Sequence, residues 1–497
     1  VILRRFHLAF RAWRGWSIGL TLSLTACSLG PRYTRPEVPT PPTWRSVEPE
    51  QAQATGWPAK DWWRGFQAPQ LDALISQAEK ANDDIGAAIA RVREADAQVR
   101  IAGAPLLPSL SLGADGSRQR QRSASLGGAA SATGGSSSSP TVSAASAGAT
   151  PVTYNTFATE LGVSYELDFW GRNRAVRNAA EFTAQASRYD RATVELTVVT
   201  SVASTWFQTL ELRDRLKVAQ ENLGAARTIL DGLKLEAKVG TATALDVAQQ
   251  EETVAALTAA IPPLQQQLLQ TTDALAILVG QTPETLQIAS GTLAEITAPP
   301  VQPGLPSELL ARRPDIAQAE AQLMSANANI AAARAAFFPS IQLTGDGGFA
   351  STALSTLFNP VSRVWSATAG LTQPIFQGGA LTGQYAYNKA RYDELVSTYH
   401  KAVISAFSNV EDALVAVQQT GEQQRRQEEV VATARRAYEF SQTQFHAGVI
   451  NIVTVLNTEN ALFTAQDTLV QVKYSHLNAL VTLYGALGGG WQRGSDS

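Results

Sequence analysis

The chain has 497 residues, a formal charge of −3, four histidines and one cysteine. Near-balanced charge gives no reason to expect a nucleic-acid partner, a lone cysteine excludes an intramolecular disulfide, and a metal site would have to be mostly carboxylate. After the first 26 residues no stretch is long and apolar enough for a transmembrane helix, so any membrane crossing must be made by strands of a closed barrel.

Arg4, Arg5, Arg11 and Arg14 precede a short apolar run over residues 15–26, the pattern of a signal peptide over 1–26. The run ends in Leu24-Thr25-Ala26-Cys27, which resembles a bacterial lipobox. That resemblance implies cleavage before Cys27, a diacylglycerol on its sulfur and an acyl chain on the new amino group. Several chains anchor stably where one would not. Ser28, in place of Asp, favours the outer membrane over retention at the inner one. The competing reading is an ordinary signal peptide with an incidental cysteine. Pro31, Pro36, Pro39, Pro41, Pro42 and Pro49 then make residues 27–55 an extended tether, with packed structure beginning at Trp57, Trp62, Trp63 and Phe66.

Helices are expected over Leu71–Lys80 and Asp83–Gly103, ended by Pro108. Leu110 and Leu112 then alternate with Ser109 and Ser111, the period of a strand. Residues 117–151 are dominated by Ser, Gly, Ala and Thr and have too little apolar surface to pack. Strand pattern resumes with Leu161, Val163, Tyr165 and Leu167 on one face and Glu160, Gly162, Ser164 and Glu166 on the other. Such alternation suits a lipid-facing barrel with a wet interior, and equally a soluble hairpin with one buried face. From Gly171 to Val239 no proline occurs, and Leu216, Ala219, Leu223, Ala226, Leu230, Leu233 and Ala237 step by three and four. A heptad sustained over a helix of roughly 100 Å means coiled-coil packing. The helix should end at Gly240 and return from about Ala242, kinked or broken at Ile261-Pro262-Pro263.

The rest of the chain says nearly the same thing again. LLPSLSL at 106–112 returns as FFPSIQL at 337–343, and GTATALDVAQQE from Gly240 returns as GVINIVTVLNTE from Gly448. The first copy carries roughly two dozen more residues between these anchors, which fall in its Ser/Gly-rich segment. Trp365, Ala367, Ala369 and Leu371 alternate with polar neighbours. A second long helix, about Ala380 to His446, has its seam at Val403, Ala406, Val410, Ala413 and Val417, and then at Val431, Ala434, Tyr438, Ser441 and Phe445. The second return helix, from about Asn451, shows a seam at Val453, Leu456, Asn460, Phe463, Asp467, Val470, Tyr474, Leu477, Val481 and Tyr484. The organisation is therefore a first copy over 56–280, a bridge over 281–312 forming a mixed side domain, a second copy over 313–490, and a tail over 491–497.

ELDFWGRNR at 166–174, GTATALDV at 240–247, the Ile261-Pro262 pair, RRPDI at 312–316, the stretch from Ala332 to Pro339 and QPIFQGG at 373–379 resemble, in this order, the outer-membrane efflux family of TolC-like channels. The lipidated branch that serves multidrug pumps is the most similar. The resemblance implies a mainly α fold with a β-barrel part: a homotrimer with one twelve-stranded barrel in the outer membrane and a long helical barrel in the periplasm. It implies a passive conduit for small molecules, without enzymatic activity and without a cofactor beyond the lipid on Cys27. The partners it implies are a periplasmic adaptor and a proton-driven inner-membrane pump. The adaptor would meet the hairpin tips at Val239-Gly240-Thr241 and Ala447-Gly448-Val449. The family's gate, an apolar ring and a carboxylate ring one turn later, maps onto Val453 and Asn457. Asn457 departs from the usual Asp, and Asp246 is the nearest carboxylate, free either to join the gate or to cap its own helix. Two other functions compete: a channel for protein secretion, and a coiled-coil lipoprotein spacer. The spacer leaves the strands in both copies unexplained. An enzyme is disfavoured, because no Ser/His/Asp set, phosphate loop or metal cluster has recognisable spacing.

Overall fold

The computed structural model describes residues 30–46, 57–122, 151–289, 291–301 and 304–494. Cys27, the leader and most of the Ser/Gly-rich segment lie outside them. In chain order come α1 (Pro69–Ala81), α2 (Asp83–Gly103), β1 (Ser109–Arg122), β2 (Pro151–Leu167), α3 (Arg172–Lys238) and α4 (Ala244–Leu278). They are followed by α5 (Pro306–Arg312), α6 (Pro314–Ala335), β3 (Ser340–Ser351), β4 (Arg363–Thr372), α7 (Ala380–His446) and α8 (Ile452–Ala486). The duplication is plain in the lengths: α3 and α7 each have 67 residues, α4 and α8 each have 35. Two compact units cut across the copies, one centred on residues 99–179 and 327–389, the other on 33–98, 180–326 and 390–497.

The first unit holds one antiparallel sheet in the order β1-β2-β3-β4, so β2 and β3 join the two copies. Leu112 opposes Leu161, Leu161 opposes Gly347, and Gly347 opposes Trp365. Directly opposed residues share a face, so the alternation read from each strand becomes one continuous apolar surface. That surface is open in the single chain: Leu112 is 77%, Leu371 67% and Trp365 83% exposed. Apolar area of this extent is built for a non-aqueous neighbour. On β2 the band from Phe157 to Leu167 covers about 11 residues, the length of a tilted membrane-crossing strand. The other face is polar. Gln342 Nε2 donates to Ser164 Oγ at 2.9 Å and Ser366 Oγ to Asp346 at 3.1 Å. No helix among the described residues is long and apolar enough to cross a membrane.

The second unit has two principal cores. In the first, Leu71, Leu74, Ile75 and Ala78, spaced as one face of α1, pack with Phe66, Phe207, Leu210, Leu275 and Val481. Trp62 stacks on Tyr484 with ring centres 4.7 Å apart. Asn82 closes two helix ends at once: its carbonyl accepts from Asp84 and Ile85 at the start of α2, and its amide donates to the Leu278 carbonyl at 2.9 Å. In the second core Tyr399, Val403, Ala406, Val410 and Ala413 of α7 pack against Leu309, Ile316, Leu323 and Leu487.

Three sequence expectations are corrected here. First, α4 runs through Pro262 and Pro263 without a break. Both prolines are exposed, so carbonyls deprived of a donor face solvent, while buried Leu264, Leu275 and Ala276 anchor the helix beyond them. Second, the described part of 281–312 contains a turn at Leu293–Glu295 and α5, but no strand. It is pinned to α3 by Arg213, which donates to the Ala289 and Ile288 carbonyls, and by Asp214, which accepts from the Leu293 amide. Third, residues 33–46 form neither helix nor strand, with bends at 42–43 and a turn at 45–46, yet they are not a free tether. Trp44 is 1% exposed and donates from its indole to the Gly304 carbonyl at 2.8 Å. Arg35 bonds the Tyr399 hydroxyl at 3.0 Å and pairs with buried Glu320 at 3.3 Å, and Arg493 pairs with the same carboxylate at 2.8 Å. A large indole and a shared counter-ion outweigh the solvated extended state that proline favours.

Candidate functional site

The helical turn at each hairpin tip closes in the same way. Gly240 has φ +83 and Gly448 φ +69. The amides of Thr241 and Val449 reach back to the Glu236 and Gln444 carbonyls at 3.0 and 2.9 Å. This is the Schellman closure, which needs the left-handed conformation that glycine adopts without strain. Val239 and Val449 stand 76% and 70% exposed beside these glycines, with Thr241 and Ala447 exposed as well. Each return helix is then capped by a side chain. Thr243 accepts from the Asp246 amide at 3.2 Å while Asp246 accepts from the Thr243 amide at 2.8 Å, and Asn451 accepts from the Thr454 amide at 3.2 Å.

Of the two readings open for Asp246, its position therefore matches the capping one. Val453 is half-buried in a small tip core with Leu233, Ile452 and Val455. Asn457 is exposed, one turn farther along α8.

The seam of α8 near the tip differs from the expected one by a residue. Ile452, Val455 and Leu462 are buried, whereas Asn460 is exposed. The apolar pattern is broad enough for two registers, and the one adopted carries Glu459 into the interior. Glu459 is completely buried, and neither carboxylate oxygen has a hydrogen-bond partner among the described residues. Across from it is Gln250, also fully buried, whose amide donates to the Ala226 carbonyl at 2.8 Å. Burial pushes the Glu459 carboxyl up to about 7, with Gln250 working in the opposite direction. Tyr438 of α7 is pushed up to about 12, by its own burial first and then by Glu459. The sequence signal for this group is its spacing of seven from Ile452 and four from Val455.

The junction between strand and helix explains two of the motifs. Gly171 turns the chain at φ +77, and Asp168 accepts from the Asn173 and Arg174 amides at 2.9 and 2.8 Å, closing the open start of α3. Glu166 receives two bonds from Arg172 at 2.9 and 3.0 Å. Trp170 donates to the Pro339 carbonyl at 2.8 Å and stacks on Phe338 at 4.9 Å. The WGR of the first copy thus locks onto the FFP of the second. Asp168→Ala should lower stability by about 1–2 kcal/mol through loss of the cap. Denaturant midpoints of the parent and variant proteins measure it, and equal midpoints would contradict this assignment of the cap.

A sheet with a bilayer-length apolar face, continued by paired helices in both copies, defines a subunit of a membrane channel. A profile of the outer membrane efflux proteins matches residues 74–281 and 305–489, and the chain belongs to that family. It is 39% identical over 486 residues to the pyoverdine export outer membrane protein OpmQ of Pseudomonas putida, covering 96% of this chain and 97% of that protein. It is 31% identical over 478 residues to the cation efflux system protein CusC of Escherichia coli, covering 95% and 98%. Among solved structures, the open state of the Neisseria gonorrhoeae MtrE outer membrane channel is similar at a TM-score of 0.81 and 28% identity, covering 95% of this chain and 100% of that one. The chain is an outer-membrane efflux protein, with a helical-barrel part and a β-barrel part.

Proposed function

We propose that this protein is the conduit of a tripartite small-molecule efflux system, working as a homotrimer anchored to the outer membrane by lipid on Cys27. One observation carries the reading: the four-stranded sheet has an apolar outer face and ends in two strands, β1 and β4, each paired on one side only. Three copies joined β4 to β1 close a twelve-stranded barrel and remove every exposed edge. Solutes then leave through a polar lumen without entering lipid, with no covalent step and no cofactor.

A periplasmic adaptor docks on the tips at Val239-Gly240-Thr241 and Ala447-Gly448-Val449, where exposed valines flank glycine turns that let a partner backbone approach. A proton-driven inner-membrane pump supplies the energy. At the gate Val453 forms an apolar ring and Asn457 a ring of neutral amides, which repel one another less than carboxylates would, while Asp246 holds the adjoining helix start. Relatives named for pyoverdine export and cation efflux favour small cargo over secreted protein.

In a host stripped of its other efflux channels, ethidium should accumulate without this protein and fall again on complementation. Unchanged accumulation overturns the small-solute reading. In planar bilayers Val453→Ala combined with Asn457→Ala should raise the conductance of the closed channel, and a conductance equal to the parent's removes both residues from the gate.

A further inference from the structure

Charge on the four strands is sorted by face. By register, Asp115, Glu160, Glu166 and Asp346 share the polar face with Ser111 and Ser366. Arg118, Arg120 and Arg363 instead share the apolar face, two to eight residues beyond Leu112 or Trp365 on their own strands. All three arginines are exposed, and none makes a side-chain ion pair among the described residues. They lie at the end of the sheet that leads into the loops, not at the end that leads into α3 and α7.

An exposed guanidinium on a face otherwise free of charge is open to a counter-charge from outside the chain. The surroundings specify it. By register Arg118 and Arg120 oppose Asn155 and Thr153, just beyond the end of the β2 apolar band at Phe157, and Arg363 opposes Phe349 two residues from Trp365, the type of residue that marks the membrane interface. The guanidinium groups are thus at headgroup depth, and their planar fork fits phosphate oxygens in pairs. Arg118 and Arg120 are on the edge strand β1 and Arg363 on the opposite edge strand β4. Closure of a trimer through β4 and β1 puts the two sets on adjoining strands.

We propose that each seam between copies seats a phosphate-bearing lipid headgroup of the outer leaflet, held by Arg118 and Arg120 of one copy and Arg363 of the next. The proposal rests on the trimeric-barrel reading.

The full-length protein is reconstituted in phosphatidylcholine vesicles with and without lipid A. Trimer heat resistance, conductance and the lipid A retained per trimer after detergent extraction are then measured. The parent protein should retain lipid A and gain heat resistance from it. Each of Arg118→Gln, Arg120→Gln and Arg363→Gln should weaken retention about fivefold, the effect of one basic charge at an anionic surface. The Lys variants should keep most of it. The triple Gln variant should still form conducting trimers in phosphatidylcholine alone, which separates headgroup binding from folding. A conducting parent trimer that retains no more lipid A than the triple variant overturns the headgroup seat and leaves the channel intact. Equal protection by inorganic phosphate overturns a lipid seat in favour of a free-anion one. Absence of any trimer overturns both readings, because the seam then does not exist.

Discussion

Glu459→Gln should stabilise the protein at pH 8 and leave it nearly unchanged at pH 4. The carboxyl is buried without a hydrogen-bond partner among the described residues and titrates near 7 in the folded state, against an ordinary value of 4.5. The native state therefore holds this proton more tightly than the unfolded chain does. Below about 4.5 both states are protonated and the residue is neutral to stability. As pH rises the unfolded chain ionises first, and the penalty on the native state grows until pH 7 and then stays constant. The shift corresponds to about 3 kcal/mol at full ionisation. Glutamine has the same shape and no charge, and so keeps the neighbourhood of Gln250 without the burial penalty that the carboxylate carries. Urea midpoints at the two pH values test this, and equal displacement at both would mean that Glu459 does not change its protonation on folding.

A second large effect is expected at the end of α8. Gly488 has φ +88, and a methyl group added there would come within 2.0 Å of the Arg312 carbonyl oxygen. The neighbouring chain cannot easily withdraw. Arg313 is held by Asp315 through two bonds at 3.0 and 2.6 Å and donates to the Ala486 carbonyl at 2.9 Å, while Leu487 is 1% exposed in the second core. Gly488→Ala should therefore cost more than the left-handed strain alone, at least about 3 kcal/mol. Gly494 separates the two contributions, since it has φ +95 but nothing within 4 Å of the added methyl. Gly494→Ala should cost about 1 kcal/mol. Chemical denaturation of the two variants distinguishes them, and equal losses would mean that the close approach to Arg312 carries no energy.

Helix ends were the most legible part of the sequence because local chemistry decides them. Gly240 and Gly448 stop helices and Asn451 starts one, as in the structure, while the start expected at about Ala242 is capped one residue on by Thr243. Strand faces were legible because a period of two leaves only two choices, and the register joins the four apolar faces. The prolines at 262 and 263 misled because propensity is local, whereas α4 is held by packing on either side. The tip seam of α8 misled because Ile452 and Val453 are both apolar, so the pattern could not select one. Trp44 was hidden among prolines, and its binding site is supplied by residues more than 250 positions away. The proposed adaptor surface and gate rest on groups whose counterparts would belong to other chains, and a single sequence does not contain those counterparts.

The strand order has a consequence for how the molecule is made. β1 meets β2, and β3 meets β4, across their own loops, but β2 meets β3 only when Tyr165 finds Leu343. Pairing so distant in sequence is entropically slow. Trp170 likewise waits for Phe338 and Pro339 before its ring is covered. A nascent first copy thus presents one open edge of β2 and a bare indole until the second copy emerges. The delay is built into the duplication itself.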